Sequence, residues 1–208
     1  TIELEVSNIE WNNADIKVTP SEDIEYVLGI MSAELFAEKY AENSDAIIAD
    51  RIAEWESTAK MYEDMGYDDP WQYYMQLEQR EGENTYNIKD SDIANLSWGS
   101  DYVAYSFGID DEGNATSTVA TAEFSTVSPV ASENNITITI DEMTKSSVEF
   151  TVTATNNDPY YVTLETTDVL APYADKSDEE LIRYLLPQYN TQIEQRTFSG
   201  TKTITNSD

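Results

Sequence analysis

Residues 96–126 read LSWGSDYVAYSFGIDDEGNATSTVATAEFST, and this stretch decides the fold. Its first strand has two alternating sets of residues, and both sets are apolar or small. A strand with one face in water carries polar residues on that face, so we expect other parts of the chain to cover both faces of this one. The two sets are Val103, Tyr105, Phe107 and Ile109 on one face, and Tyr102, Ala104, Ser106 and Gly108 on the other.

Three segments before this stretch alternate at period two, which is the pattern of a strand with one buried face. They predict strand A from Ile2 to Val6, strand B from Ala14 to Val18 and strand C from Ile24 to Ile30. The deciding stretch then supplies strands F (101–110) and G (115–126). The first part of the chain is therefore predicted to be mainly β.

The segment of about 32–82, after strand C, predicts helices instead. Its apolar residues recur at spacings of three and four, as they do on one face of a helix. We expect Ser44 and Asp45 to cap the second helix, and Asp69 and Pro70 to cap and open a third. These helices are the available cover for the outer face of the C/F/G sheet, and we predict that they pack there. The spaced residues are Ala33, Phe36, Ala37 and Tyr40, then Ile48, Ile52, Trp55, Ala59 and Tyr62.

The chain contains an internal repeat. Residues 1–30 align with residues 135–164 without a gap, and the apolar positions of strands A, B and C recur in the second block. The segment 128–134 has the composition of a short linker. We therefore predict a complete domain over 1–127, then this linker, and a second copy of the same unit over 135–208.

The second copy is shorter than the first. The run from Thr85 to Asp92 matches the run from Thr201 to Asp208, and the offset between the copies falls by about the length of the Tyr67 to Gly82 segment. The second copy is therefore predicted to lack this extra helix and also its last two strands, F and G. Its own helix begins with Ser177-Asp-Glu-Glu180, a complete capping box.

The composition excludes several classes of site. The chain has 41 acidic and 11 basic residues, and the formal net charge of −30 repels a nucleic acid backbone or an anionic membrane. There is no Cys and no His, which removes thiol nucleophiles and the imidazole and thiolate metal ligands. No apolar run reaches the roughly 20 residues that a membrane helix needs.

No sequence motif for catalysis or for a metal stands out. The chain has no G-x-S-x-G, Walker or H-E-x-x-H motif. The run from Asp110 to Asn114 places acids around a glycine, as calcium loops do, but its position between strands F and G favours a hairpin turn. We therefore expect a protein that is not an enzyme and has no metal site and no cofactor.

The deciding stretch resembles the L-x-P-G-T-x-Y-x-V-x-V run of fibronectin type III domains. Leu96 stands six residues before Tyr102, Gly99 lies in the turn and Phe124 closes the last strand, although Trp98 occupies the usual position of the proline. The resemblance implies fibronectin-III/Ig-like β-sandwich repeats with helices inserted after strand C. It also implies that the Tyr102 hydroxyl bonds back to the backbone at the sandwich corner.

The chain has a helical segment that begins near a Ser-Asp-Glu-Glu motif and a strand that reads Tyr-x-x-Tyr-x-Phe-Gly from Tyr102 to Gly108. With these motifs, the whole arrangement resembles the repeated domain of Bacteroidetes surface lipoproteins of unknown function. This implies a non-catalytic interaction or adhesion-type module of the cell envelope, on the outer membrane surface or in the periplasm, with a possible lipid anchor upstream of Thr1 and an unidentified protein or carbohydrate as ligand. Two alternatives are a structural or pilus-like subunit and a carbohydrate-binding accessory protein. In the first, a strand from another chain completes the second domain by strand exchange.

The most distinctive local cluster is formed by Tyr67, Trp71 and Tyr73, which are flanked by acids on the helix that the second copy lacks. Exposed Tyr and Trp are frequent in sugar-binding and protein-binding surfaces, so these three are the candidate ligand-binding residues. The alternative is that Trp71, Tyr74 and Met75, at helical spacing, form a buried face. In that case Tyr67 and Tyr73 are the exposed pair.

Overall fold

The computed structural model describes residues 1–91, 93–128, 130–188 and 192–207. The protein is a β-rich mixed α/β structure whose strands form antiparallel sheets. Its contacts divide it into two compact units, the first spanning Thr1–Ser128.

Within its described residues, the first unit contains two antiparallel sheets and three helices. One sheet has the strand order β1-β2-β5 and the other β4-β3-β6-β7. The helices lie between β3 and β4 in the chain. The elements are β1 (Ile2–Ser7), β2 (Asp15–Pro20), β3 (Glu25–Ser32), α1 (Ala33–Lys39), α2 (Ala46–Glu63), α3 (Trp71–Gln76), β4 (Arg80–Glu81), β5 (Asn84–Asn87), β6 (Asp101–Gly108) and β7 (Ala120–Ser125).

The two sheets share one hydrophobic core. Alternate residues of each strand point into it, as the period-two pattern requires. The hydroxyls of Tyr26 and Tyr86 meet at 2.8 Å inside this core, so the one polar group that each ring carries is paired. The buried members include Ile2, Ile16 and Val18 from the first sheet, Ala14 just before β2, and Tyr26, Leu28, Ala104 and Phe124 from the second sheet.

A second core lies on the other face of the β3-β6 pair. The helices supply its outer half, so β6 is buried on both faces by different partners. Phe107 is inaccessible to solvent there, and such a side chain contributes about 2 to 3 kcal/mol through burial. The buried members are Val27, Tyr105, Phe107 and Ile109 from the strands and their ends, with Tyr40, Ile47, Trp55 and Met75 from the helical segment.

The hydroxyl of Tyr102 accepts a hydrogen bond from the backbone N–H of Ser97 at 2.8 Å. The predicted bond from this tyrosine to the backbone is therefore confirmed. Thr126 reinforces the same corner, because its hydroxyl donates to the Ser97 carbonyl and accepts from the Ser100 N–H at 3.0 Å. The turn before β6 is thus tied to the end of β7.

Two of the predicted helix caps differ from the structure. Helix α2 begins at Ala46, but the Asp45 side chain makes no capping bond because its Oδ1 accepts the N–H of Val119 at 2.8 Å. Helix α3 begins at Trp71 with Pro70 in the extended conformation before it, so Asp69 lies one residue too early to be the cap. A side chain that bonds a residue distant in sequence is not available to its own helix, and sequence spacing does not reveal this competition.

The second unit repeats the first three-stranded sheet. Its strands and helices are β8 (Ile136–Met143), β9 (Ser147–Ala154), β10 (Tyr160–Tyr161), α4 (Thr167–Leu170), α5 (Asp178–Gln188), β11 (Thr197–Phe198) and β12 (Lys202–Ser207). The sheets have the orders β12-β9-β8 and β10-β11. The predicted capping box of α5 is confirmed, since Ser177 Oγ accepts the Glu180 N–H and the Glu180 carboxylate accepts the Ser177 N–H.

The strand register is the same in both units as far as Ile140, after which β8 has a bulge. Leu4 pairs with Val18 in the first unit, and Ile138 pairs with Val152 in the second. A long-range bond is also shared. The Tyr26 hydroxyl donates to the Gly82 carbonyl at 3.0 Å. The Tyr160 hydroxyl donates to the Gly200 carbonyl at 2.7 Å.

The sequence alignment of the later strands is wrong by two residues. Lys17 pairs with Thr85, while the equivalent Thr151 pairs with Thr203. Thr85 therefore corresponds to Thr203 rather than to Thr201. A shift of two residues keeps every side chain on its original face, so the alternating pattern alone could not detect the error.

Replacing Tyr102 by Phe should lower the free energy of unfolding by about 1 to 2 kcal/mol, because the Ser97 N–H loses its partner at a partly buried corner. Urea denaturation followed by tryptophan fluorescence measures the change. Tyr73→Phe is the control, since Tyr73 is exposed, and it should leave stability unchanged. Equal stability of the two variants would contradict a structural role for the corner bond.

Candidate functional site

Four tyrosines form a continuous row of ring contacts on the helical segment. Tyr62 and Tyr74 stack in the middle, with centroids 5.3 Å apart and an interplanar angle of 15°. Tyr67 meets Tyr62 edge-on at 5.9 Å, and Tyr73 meets Tyr74 edge-on at 5.4 Å. We call Tyr62, Tyr67, Tyr73 and Tyr74 the tyrosine row.

The chain reversal after α2 brings these rings together. Gly66 has φ of +94°, a conformation that residues with a side chain rarely adopt. The reversal lets the Tyr67 N–H donate to the Tyr62 carbonyl at 3.1 Å, which folds Tyr67 back onto the end of α2. Helix α3 then adds Tyr73 and Tyr74 from the opposite side.

The ends of the tyrosine row are open to solvent. Tyr67 is 59% exposed and Tyr73 is 45% exposed. Met61 and Met65, in the same part of the chain as Tyr62, are also exposed. A cluster of exposed aromatic and methionine side chains is typical of a surface that binds a partner.

Trp71 does not belong to this surface. It is half-buried and stacks on Trp55 with centroids 6.4 Å apart and planes within 9°. Its ring also lies so close to Gly113 that a Cβ atom there would be 2.2 Å away. With Met75 fully buried beside it, Trp71 anchors α3 to the second core, as the alternative interpretation of the sequence predicted. Tyr67 and Tyr73 are the exposed pair.

The phenol of Tyr74, in the middle of the row, stays protonated near neutral pH. Burial and then the charge of the nearby Asp69 carboxylate raise the pKa of Tyr74. A protonated phenol can both donate and accept a hydrogen bond. The row therefore offers flat apolar faces together with hydroxyls, which suits binding.

A groove of about 440 Å³ lies elsewhere on the first unit, beside β3. Two arginines and the ring of Tyr105 line it, together with apolar side chains. Arg51 is held by ion pairs to Glu54 and Glu78. We call this cavity the arginine groove; its lining residues are Leu28, Gly29, Ile30, Arg51, Leu77, Glu78, Arg80, Ser91, Ile93 and Tyr105.

The Asp110 to Asn114 segment forms a turn that uses its own carboxylate. Oδ1 of Asp110 accepts the backbone N–H groups of Glu112 at 3.1 Å and Asn114 at 2.7 Å. These bonds from Asn114 lower the pKa of Asp110. Within the described ranges, no group of three or more acidic side chains is arranged to hold a metal ion.

No protein-family model matches the chain, and no curated protein or solved structure matches it. None of the helices among the described residues is both long enough and apolar enough to cross a bilayer. The site must therefore be interpreted from its own geometry.

The sequence indicated the tyrosine row in part, because Tyr67 and Tyr73 stand in a visible aromatic cluster. It did not indicate the arginine groove. Arg51 and Arg80 lie in different elements, and β4 is only two residues long. A possible signal was the scarcity of arginine: the chain has four, and two of them line one cavity.

Proposed function

We propose that this chain is a non-catalytic binding module of the bacterial cell envelope, and that the tyrosine row is the surface with which it binds a protein partner. The observation that carries the proposal is the exposure of Tyr67 and Tyr73 at the two ends of a row of rings that contact one another. Tyrosine and methionine are enriched at the centres of protein interfaces.

The side chains of the tyrosine row are preorganised for binding. Tyr62 and Tyr74 are held by stacking, and α3 is anchored through Trp71 and Met75. Side chains that are already fixed lose little conformational freedom when a partner arrives. An aromatic surface on this rigid scaffold therefore loses less conformational entropy on binding than the same side chains on a flexible loop would.

The scaffold that we propose is a fibronectin-III-like β-sandwich, and with it membership of the lipoprotein repeat family that the sequence resembles. The shared core of the two sheets and the corner bond of Tyr102 support this assignment. The net charge of −30 and the lack of Cys suit an extracytoplasmic location, where high charge maintains solubility and free thiols would oxidise.

Replacing both Tyr67 and Tyr73 by Ser should weaken binding to an envelope protein at least about tenfold, because two interface anchors are removed. Binding is measured by biolayer interferometry against a detergent extract of the native envelope, before and after protease treatment. Tyr184→Ser, an exposed tyrosine of the second unit, is the matched control.

Binding that protease abolishes and that only the double variant loses supports a protein partner. Binding that survives protease but is lost after periodate oxidation would overturn the protein partner in favour of the carbohydrate-binding alternative. That alternative is favoured by the acidic Asp69 beside Tyr74, since a carboxylate next to an aromatic face can bond sugar hydroxyls. Unchanged binding by the double variant would exclude the row altogether.

A second candidate function concerns the second unit. Ile138 is 60% exposed and Ile140 is 63% exposed, whereas the equivalent Leu4 and Val6 pack against the first core. Within the described residues, β10 pairs only with β11, while β3 also pairs with β6. The second unit therefore offers an edge and an apolar face that a strand pair like β6-β7, supplied by another molecule, would cover.

A synthetic peptide of residues 96–126 should bind the second unit and shift the NMR signals of Ile138, because this strand pair covers the equivalent face in the first unit. Ile140→Asp should weaken this binding at least about tenfold by placing a charge in the interface. Val130→Asp changes an exposed apolar residue outside that face and should have no effect. Signals that do not respond to the peptide would contradict a structural role by strand exchange.

A further inference from the structure

The arginine groove lies along an open edge of β3. Strand β4 pairs only with Glu25 and Tyr26. On its other side β3 pairs with β6 over its full length, from Tyr26 to Ser32. From Val27 onward, β3 has no neighbouring strand on the groove side among the residues that the structure describes.

The backbone groups that face the groove can be identified from the ladder. The N–H of Ile109, just after β6, donates to the Glu25 carbonyl at 3.1 Å. The backbone carbonyl of Glu25 therefore points to the β6 side of β3. Residues of an antiparallel strand point their backbone groups to alternate sides. Leu28 and Ile30 therefore turn their N–H and C=O groups away from β6, towards the groove. Such edge groups are what an added strand pairs with.

The ring of Tyr105 shapes the wall of the groove. Gly29 pairs with Tyr105 across the ladder, and the ring lies over the glycine so closely that a Cβ atom would be 2.3 Å from the tyrosine hydroxyl oxygen. The hydroxyl thus lies over β3 at Gly29, and Tyr105 lines the groove. Burial raises the pKa of Tyr105 against the opposing charge of Arg51, so this hydroxyl remains a hydrogen-bond donor at neutral pH.

Arg80 supplies a positive charge that forms no ion pair among the described residues. Its guanidinium lies over the ring of Tyr86, with Cζ 4.5 Å from the centroid. Its Nε is buried without a hydrogen-bond partner, and so is the Nε of Arg51. Whereas Arg51 has two carboxylate partners, Arg80 has no ion pair within the described ranges. In a chain with 41 acidic residues, a groove-lining arginine without a carboxylate partner is unusual.

We propose that the arginine groove binds an extended peptide segment that bears a carboxylate: the segment pairs with the edge of β3 at Leu28 and Ile30 and places its carboxylate against Arg80. Ile93 and Leu77 provide apolar walls for the side chains next to that carboxylate. This site is separate from the tyrosine row, so either can fail without the other.

The size and charge of the site favour this occupant over other anions. A cavity of about 440 Å³ is in the range that holds a ligand of a few residues and is too small for a folded domain. Glu78 lies at the same groove and the chain carries a net charge of −30, so a polyphosphate or nucleic acid would be repelled. A single carboxylate matches the single guanidinium of Arg80.

The experiment uses arrays of random acetylated hexapeptides synthesised in two forms, with a free C-terminal carboxylate and with a C-terminal amide. The purified chain should select peptides that carry a carboxylate at the C-terminus or on a side chain. Their affinity, measured by fluorescence anisotropy, should fall at least tenfold in Arg80→Gln and recover in part in Arg80→Lys. Arg183→Gln, in the second unit, is the matched control and should bind as the native chain does.

Leu77 provides a test that does not depend on the folding of Arg80 variants, because its side chain is 66% exposed at the groove. Leu77→Asp should weaken binding of the selected peptides and Leu77→Lys should strengthen it. Hydrogen exchange should show that the peptide protects the amides of Leu28 and Ile30.

Three results would overturn the proposal. They are equal selection of peptides with and without carboxylates, binding that survives Arg80→Gln, and equal effects of the two Leu77 substitutions. A variant of Arg80 that loses peptide binding still has an intact tyrosine row and should still bind the partner proposed for the row. The two proposals can therefore be tested separately.

Discussion

The burial of β6 on both faces is the constraint on which the first unit depends. Ala104 is buried against the first sheet, and Phe107 is buried against the helices. Exposing either face would cost several kcal/mol of hydrophobic free energy. The chain must therefore provide a second sheet on one side and a helical layer on the other. The helical segment is thus part of the fold and not an appendage. Because it packs on β6, the surfaces that it carries are held in a fixed position relative to the sheets of the first unit.

Both proposed binding surfaces follow from this layer. The side chains that anchor the helices, such as Trp55 and Met75, point inward, and Tyr74 packs partly against the same core. Tyr67 and Tyr73 are left exposed on the outside. The arginine groove arises where the layer stops. Strand β4 covers only the start of β3, and α2 contributes Arg51 beside the uncovered edge. The core thus determines where aromatic rings are displayed and where a strand edge is left open.

Much of this arrangement was predictable from the sequence, and the exceptions have physical causes. Period-two alternation located the longer strands, and the corner bond of Tyr102 followed from a family resemblance. Strand β4 was missed because two residues have no periodicity. Asp45 was expected to cap a helix, but it bonds Val119, more than seventy residues away. The groove was missed because it is defined by what lies beside β3 in space, which no local pattern records.

Native-state hydrogen exchange, resolved by residue, tests the central claim most directly. If β6 is enclosed by a sheet on one face and by helices on the other, the amides of Val103, Tyr105 and Phe107 should exchange only through global unfolding of the first unit. They should then be among the slowest in the chain, slower than those of the edge strands β1 and β7. Exchange of the β6 amides at the rate of those edge strands would contradict the account, because it would mean that the helical layer opens without the core.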